Sequence, residues 1–264
     1  MRRCSPRACA AALLLAVPAL ALFPGCLNDD DSPGDGTLDE AENETAASLA
    51  EMGIALEQLI AESVPQLFAE GFGTALRDEA VVEWSDETDE WVVTFSESYE
   101  DEEATGEVHI TQHVQFRADG VPVQYPDENT DEVQVDVEGS NAGNYHPTDR
   151  WNVDFDVDVA RAANAARETD GSILITGEGT AAGAALYHVG GRSYPRQTSF
   201  SWSGDLAYAP GNPCVAGAVA GTNGRLDLEA AFDGAGTVSW EVTREGQVVR
   251  TGSEEYVCTG PETQ

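Results

Sequence analysis

Val153-Asp154-Phe155-Asp156-Val157-Asp158-Val159 alternates apolar and acidic residues without a break. In an extended chain successive side chains point to opposite faces, so this stretch makes a strand with one dry face and one charged face. The same period of two runs outward on both sides. Val133, Val135 and Val137 alternate with Gln134, Asp136 and Glu138, and Trp91, Val93 and Phe95 alternate with Val92, Thr94 and Ser96. Val108, Ile110, Val114 and Phe116 share a face opposite His109, Thr111, His113, Gln115 and Arg117. Later come Phe200, Trp202, Leu206 and Tyr208, then Leu226, Leu228, Ala230 and Phe232, then Val238, Trp240 and Val242. Parallel sheets, covered on both faces, read as continuous apolar runs, so clean alternation predicts an antiparallel sheet. Turn pairs punctuate it at Asp119-Gly120, Asp170-Gly171, Asn223-Gly224, Asp233-Gly234 and Glu245-Gly246.

Before the strands the period is helical. Leu49, Met52, Leu56, Leu59 and Ile60 recur at steps of three and four. Thr37-Leu38-Asp39-Glu40 reads as a capping box, and Ser63-Val64-Pro65-Gln66 as a second one. Proline breaks a helix interior but suits a first turn. The expectation is therefore one helix to about Glu62 and a shorter one ending near Phe72. About ten to twelve strands behind one helical segment must curl, split or wrap a helix. The fold expected is mainly β: a large curved antiparallel sheet or open barrel with the helical segment on its concave face. A two-sheet sandwich is the alternative. Ala160 to Arg167 reads as a short helix or a strand end, and the glycines at 177, 179, 183, 190 and 191 leave the middle of the chain ambiguous.

The N-terminus carries a different signal. Arg2, Arg3 and Arg7 precede Ala10 to Phe23, an uncharged run rich in Leu and Ala. At 14 residues it is shorter than the ~20 a membrane-spanning helix needs, and it fits a signal h-region. Leu22-Phe23-Pro24-Gly25-Cys26 resembles the lipobox of bacterial, and some archaeal, lipoproteins, with Phe23 and Pro24 departing from the usual pattern. The resemblance implies cleavage after Gly25, lipid on Cys26 and attachment to a membrane. The Arg2-Arg3 pair also raises twin-arginine export. The organisation expected is a signal peptide over 1–25, an acidic tether over 26–36, a helical segment over 37–77 and a β domain over 78–264, the last two forming one folding unit. Asp29, Asp30, Asp31 and Asp35 in the tether lack the spacing of a calcium loop.

Charge narrows the partners. The chain has 13 basic and 48 acidic residues, and every basic residue is Arg. Without Arg2, Arg3 and Arg7, 10 basic residues face 48 acidic ones, a net charge of −38. Such a surface repels phosphates, which argues against nucleic acid. Acids spread over the whole chain read as a solvated surface adapted to high salt, with cation binding the other reading. Five cysteines are present. Cys4 and Cys9 leave with the signal and Cys26 takes lipid, so Cys214 and Cys258 are expected to pair in an oxidising compartment. That pairing needs the Ala/Gly-rich stretch Val215 to Thr222 to return as an extra strand.

Catalytic motifs are missing: there is no GxSxG, HExxH, Walker A or GxGxxG, and no cofactor or metal is expected. His109 and His113, four apart on a strand, are about 13 Å apart and cannot share a metal. With His146 and His188 they read as surface histidines. Asp154, Asp156 and Asp158 line one face and read as solvated. Trp84, Trp91, Trp151, Trp202 and Trp240 fall mostly on apolar faces and read as core. The leading expectation is a non-catalytic envelope lipoprotein that binds or scaffolds. The alternatives are a carrier of an apolar ligand or lipid, and a polysaccharide hydrolase using paired carboxylates. A large cavity under the helix favours the carrier; two carboxylates converging in a cleft favour the hydrolase.

Overall fold

In a computed structural model the described residues are 38–70, 81–100, 104–148, 150–256 and 258. The leader over 1–25, Cys26, the tether over 26–36 and the Thr37 cap lie outside them. One helix, α1 (Leu38–Glu70), precedes twelve strands. These are β1 (Val81–Ser85), β2 (Glu90–Glu100), β3 (Ala104–Ala118), β4 (Val121–Val123), β5 (Glu132–Thr148) and β6 (Trp151–Arg167). They continue as β7 (Ile173–Val189), β8 (Arg192–Tyr208), β9 (Ala216–Thr222), β10 (Asp227–Asp233), β11 (Thr237–Arg244) and β12 (Gln247–Glu255).

All twelve strands belong to one sheet, which rules out the two-sheet sandwich. Its order is β1-β2-β3-β5-β6-β7-β8-β9-β10-β11-β12, with β4 paired to β3 beside the path. Every pairing is antiparallel, and β1 and β12 do not meet, so the sheet is open. The alternation read from the sequence sets the two faces: along β6, Trp151, Val153, Phe155 and Val157 are buried while Asp154, Asp156 and Asp158 are exposed.

The sheet curls around α1. Val108 on β3 and Arg250 on β12 both reach helix residues although their strands lie far apart in the sheet order. Accordingly the helix is buried nearly all round rather than along one stripe: Ala46, Ala47, Leu49, Ala50, Met52, Ile54, Leu56, Ile60, Ala61, Val64 and Leu67 are all inaccessible. Helix and sheet share a single apolar core.

One sequence expectation is corrected, and two stretches left open by the sequence are settled as strand. The helix does not break near Glu62; it runs through Pro65 as 33 continuous residues, about 50 Å at 1.5 Å per residue. Proline removes one N–H and so one intrahelical bond, and packing against the sheet on most sides holds the helix together across that gap. Ala160 to Arg167 is strand, continuing β6. The glycine-rich middle is the strand β7, paired over its whole length with both neighbours. Its glycines mark close approach: a Cβ at Gly179 would strike the Trp202 ring, and one at Gly183 the backbone of Asp156 and Val157. Gly190 and Gly191, with φ of 56° and 77°, form the tight turn into β8.

Candidate functional site

The interior between α1 and the sheet holds a charged centre. Glu57 on α1 and Arg161 on β6 are 0 % and 2 % exposed. Arg161 Nε donates to Glu57 Oε1 at 2.6 Å and Nη2 donates to Oε2 at 2.7 Å, a two-pronged pair. The indole N–H of Trp202 on β8 also donates to Glu57 Oε1, at 2.9 Å. Arg161 donates as well to the carbonyl of Ala162. Glycines make the room: a Cβ at Gly204 would meet the Glu57 carboxylate, and one at Gly53 the Trp202 ring. A charge pair this deep persists because each member satisfies the other; removing one leaves an uncompensated ion.

Four more arginines reach the helix. Glu42 pairs with Arg196 at 2.6 Å and Arg225 at 2.9 Å, and Arg250 pairs with Glu44 at 3.1 Å and Glu51 at 3.0 Å. The Arg167 guanidinium lies 4.7 Å above the Phe68 ring. Half of the ten arginines beyond the leader therefore contact α1, which itself has no basic residue. The two arginines hold the Glu42 carboxyl below its ordinary range against the opposing effect of burial. Burial pushes Glu51 up even with Arg250 beside it.

Beneath the helix, over Gly139 of β5, is a gap of about 20 Å³ lined by Met52, Leu56, Ile110, Val137 and Val159. That is room for about one water-sized sphere. A Cβ at Gly139 would meet the carbonyl of His109 and the side chain of Ile110. The large cavity that favours a carrier is not found among the described residues. Carboxylates do converge at Glu44 and Glu51, but both close on Arg250 rather than on a cleft.

On the outer face the sequence-predicted residues are placed as read. His109 contacts Ser96 at 2.7 Å, His113 contacts Glu90 at 2.8 Å, and His146 contacts Asn144 at 3.1 Å. None of the four histidines is buried. Asp154 joins a chain across four strands: Asn144 donates to it at 2.7 Å, His188 lies 2.9 Å away, and Ser193 is 3.0 Å from the other ring nitrogen of His188. The His188 contact holds the Asp154 carboxyl below its ordinary range. Asp156 stands across from Ala142 and Ala184, and Asp158 from Ser140 and Ala182, so no cross-strand carboxylate completes a cation site. Among the described residues no group of three or more His, Cys, Asp or Glu is arranged to hold a metal. Trp151 and Trp202 are core; Trp84, Trp91 and Trp240 are half-buried.

Cys214 and Cys258 form a disulfide with a Cα separation of 4.5 Å. Val215 to Thr222 supplies the returning strand β9 that the bridge requires. The Tyr256 hydroxyl donates to the Val215 carbonyl at 2.6 Å beside it. A disulfide suggests an oxidising, exported location. No described helix is long and apolar enough to cross a membrane. Neither protein-family models, curated proteins nor solved structures contain a match to this chain.

Glu57 and Arg161 escape a reading that stops β6 at Val159. Continued by two, the alternation places Arg161 inward with Ala163 and Ala165, and a lone inward Arg requires a buried acid.

Proposed function

We propose that this protein is a cell-envelope lipoprotein, anchored through lipid on Cys26, whose folded domain binds or scaffolds without catalysis. One observation carries the reading of the domain: the concave face of the sheet, where a carrier keeps its cargo, is occupied by the chain's own helix and pinned there by Glu57 and Arg161. Among the described residues there is no large cavity to favour a carrier and no pair of carboxylates converging in a cleft to favour a hydrolase. The signal-like leader, the acidic tether and the disulfide support export. Metabolic labelling with a fatty-acid analogue tests the anchor: wild type should be labelled and membrane-bound, and Cys26→Ser should be neither. Solvent extraction of the purified protein tests the domain. A stoichiometric apolar ligand recovered from it would replace this reading with the carrier.

A further inference from the structure

The inward series of β2 leaves the core at its hairpin end: Phe95 and Val93 are buried, and Trp91 is half-buried. Trp84 faces Trp91 across the β1–β2 pair, and the two rings meet edge to face at 5.4 Å and 64°. Tyr125, in the loop after β4 and 67 % exposed, meets Trp91 at 5.7 Å and 60°. Both indole N–H groups are used within the protein. That of Trp84 donates to Asp86 Oδ1 at 2.8 Å, and that of Trp91 to the Gln124 carbonyl at 2.7 Å. These bonds orient the rings and leave neither indole a donor to offer a ligand. Acids stand close to the rings in sequence. Glu87 and Asp89 in the β1–β2 turn and Glu128 after Tyr125 are exposed and make no ion pair among the described residues. The one arginine on β1–β4, Arg117, donates to Gln115.

An aromatic face attracts a cation, and a carboxylate attracts a cation that donates hydrogen bonds. A guanidinium answers both, being flat enough to stack on a ring and carrying a fork of N–H donors. A neutral sugar would also stack, but it would leave the unpaired carboxylates unmatched, and an anion would be repelled by them. We propose that the Trp84–Trp91–Tyr125 surface binds an exposed, arginine-bearing segment of a partner protein, its guanidinium against the rings and its donors toward the acids of the two adjoining turns. This deepens the binding-domain reading and rests on it, but not on the lipid anchor. Acyl labelling of Cys26 and solvent extraction test that reading by other means, so either can fail while the other stands.

The test uses the full chain in non-ionic detergent at fixed ionic strength. It is titrated with the peptide acetyl-Gly-Arg-Gly-Arg-Gly-amide and followed by tryptophan fluorescence and by the indole N–H signals in NMR. The same peptide with citrulline for arginine, which keeps the flat shape and removes the charge, is the comparator. The arginine peptide should bind and shift the Trp84 and Trp91 signals, and the citrulline peptide should bind about tenfold or more weakly, as loss of a charge-assisted contact implies. Tyr125→Ala, in an exposed loop, and Trp84→Ala should each weaken the arginine peptide by about two- to fivefold, the scale of one exposed cation–π contact. Glu87→Gln combined with Asp89→Asn and Glu128→Gln should weaken it as well, and Asp156→Asn on the outer face should leave it unchanged. Absence of binding, or equal binding of the two peptides, would overturn the proposal. So would binding that survives both Tyr125→Ala and Trp84→Ala, because that is attraction to the acidic surface alone. Cellohexaose shifting the same indole signals where the arginine peptide does not would overturn it in favour of a sugar.

Discussion

Gly177 of β7 lies directly against the guanidinium of Arg161: a Cβ there would overlap Nη1 and the carbonyl of Ala162. The charged centre thus depends on a residue that carries no chemistry. Gly177→Ala should destabilise the fold by roughly 1–3 kcal/mol through overpacking. Glu57→Met and Arg161→Met should each lose about 3–5 kcal/mol, since each strands a buried partner. The double change Glu57→Met with Arg161→Met should lose less than the two single losses added together. Urea unfolding of the four variants measures all of this, and strict additivity would show that the pair is not coupled.

Pro65 removes the donor for the Ala61 carbonyl, and the hydroxyl of Tyr208 on β8 supplies one at 2.9 Å. Tyr208→Phe should therefore lower stability by about 1–3 kcal/mol, the range for a stranded buried acceptor. In a Pro65→Ala background the new N–H can serve Ala61, and the same change should matter much less. Equal losses in both backgrounds would sink this account of how the helix passes its proline.

Acid should reach the Glu42 pairs late, below the range in which ordinary carboxylates are protonated. Their arginines hold the carboxyl below its ordinary value of 4.5. A lowered carboxylate contributes stability that is full above the unfolded value and disappears as pH falls through the folded one. Glu42→Gln should then be less stable than wild type by up to about 1 kcal/mol at pH 7, given how exposed Arg196 and Arg225 are. The difference should close below the usual carboxylate range. A gap that is constant with pH would mean that packing, not charge, accounts for it.

Salt should raise the melting temperature. With 48 acids against 10 arginines beyond the leader, repulsion outweighs the few pairs that screening weakens. The Debye length falls from ~10 Å at 0.1 M to ~3 Å at 1 M. A flat or falling curve in NaCl would remove repulsion as a major term in stability.

The sheet was legible because each strand states its two faces locally. Val153 to Val159 needs no distant information to say which side is dry. The disulfide followed from counting, and β9 from the geometry that the bridge demands. What stayed hidden depends on residues far apart in sequence. The helix showed one apolar stripe where it is buried almost all round, because its acids read as solvent-facing until arginines from β6, β8 and β12 are brought against them. Gly177, Gly179 and Gly183 obscured β7 for the same reason: each is explained by a neighbouring strand or by a side chain from it. Pro65 signalled a break because the Tyr208 hydroxyl lies 147 positions from Ala61.

The order of the strands has a consequence for the time course of folding. Each strand pairs almost entirely with its neighbours in sequence, so the ladder can grow by short closures as the chain is made. The helix is different. It is first in the chain, yet Arg161 stands 104 residues away from Glu57 and Trp202 stands 145 away. Until β6 and β8 exist, α1 has only the β3–β5 part of its wall and Glu57 lacks both of its buried partners. Docking of the helix is then the late event that converts a curved ribbon of strands into a protein. Chains cut before β8 should show strand content without a cooperative melt.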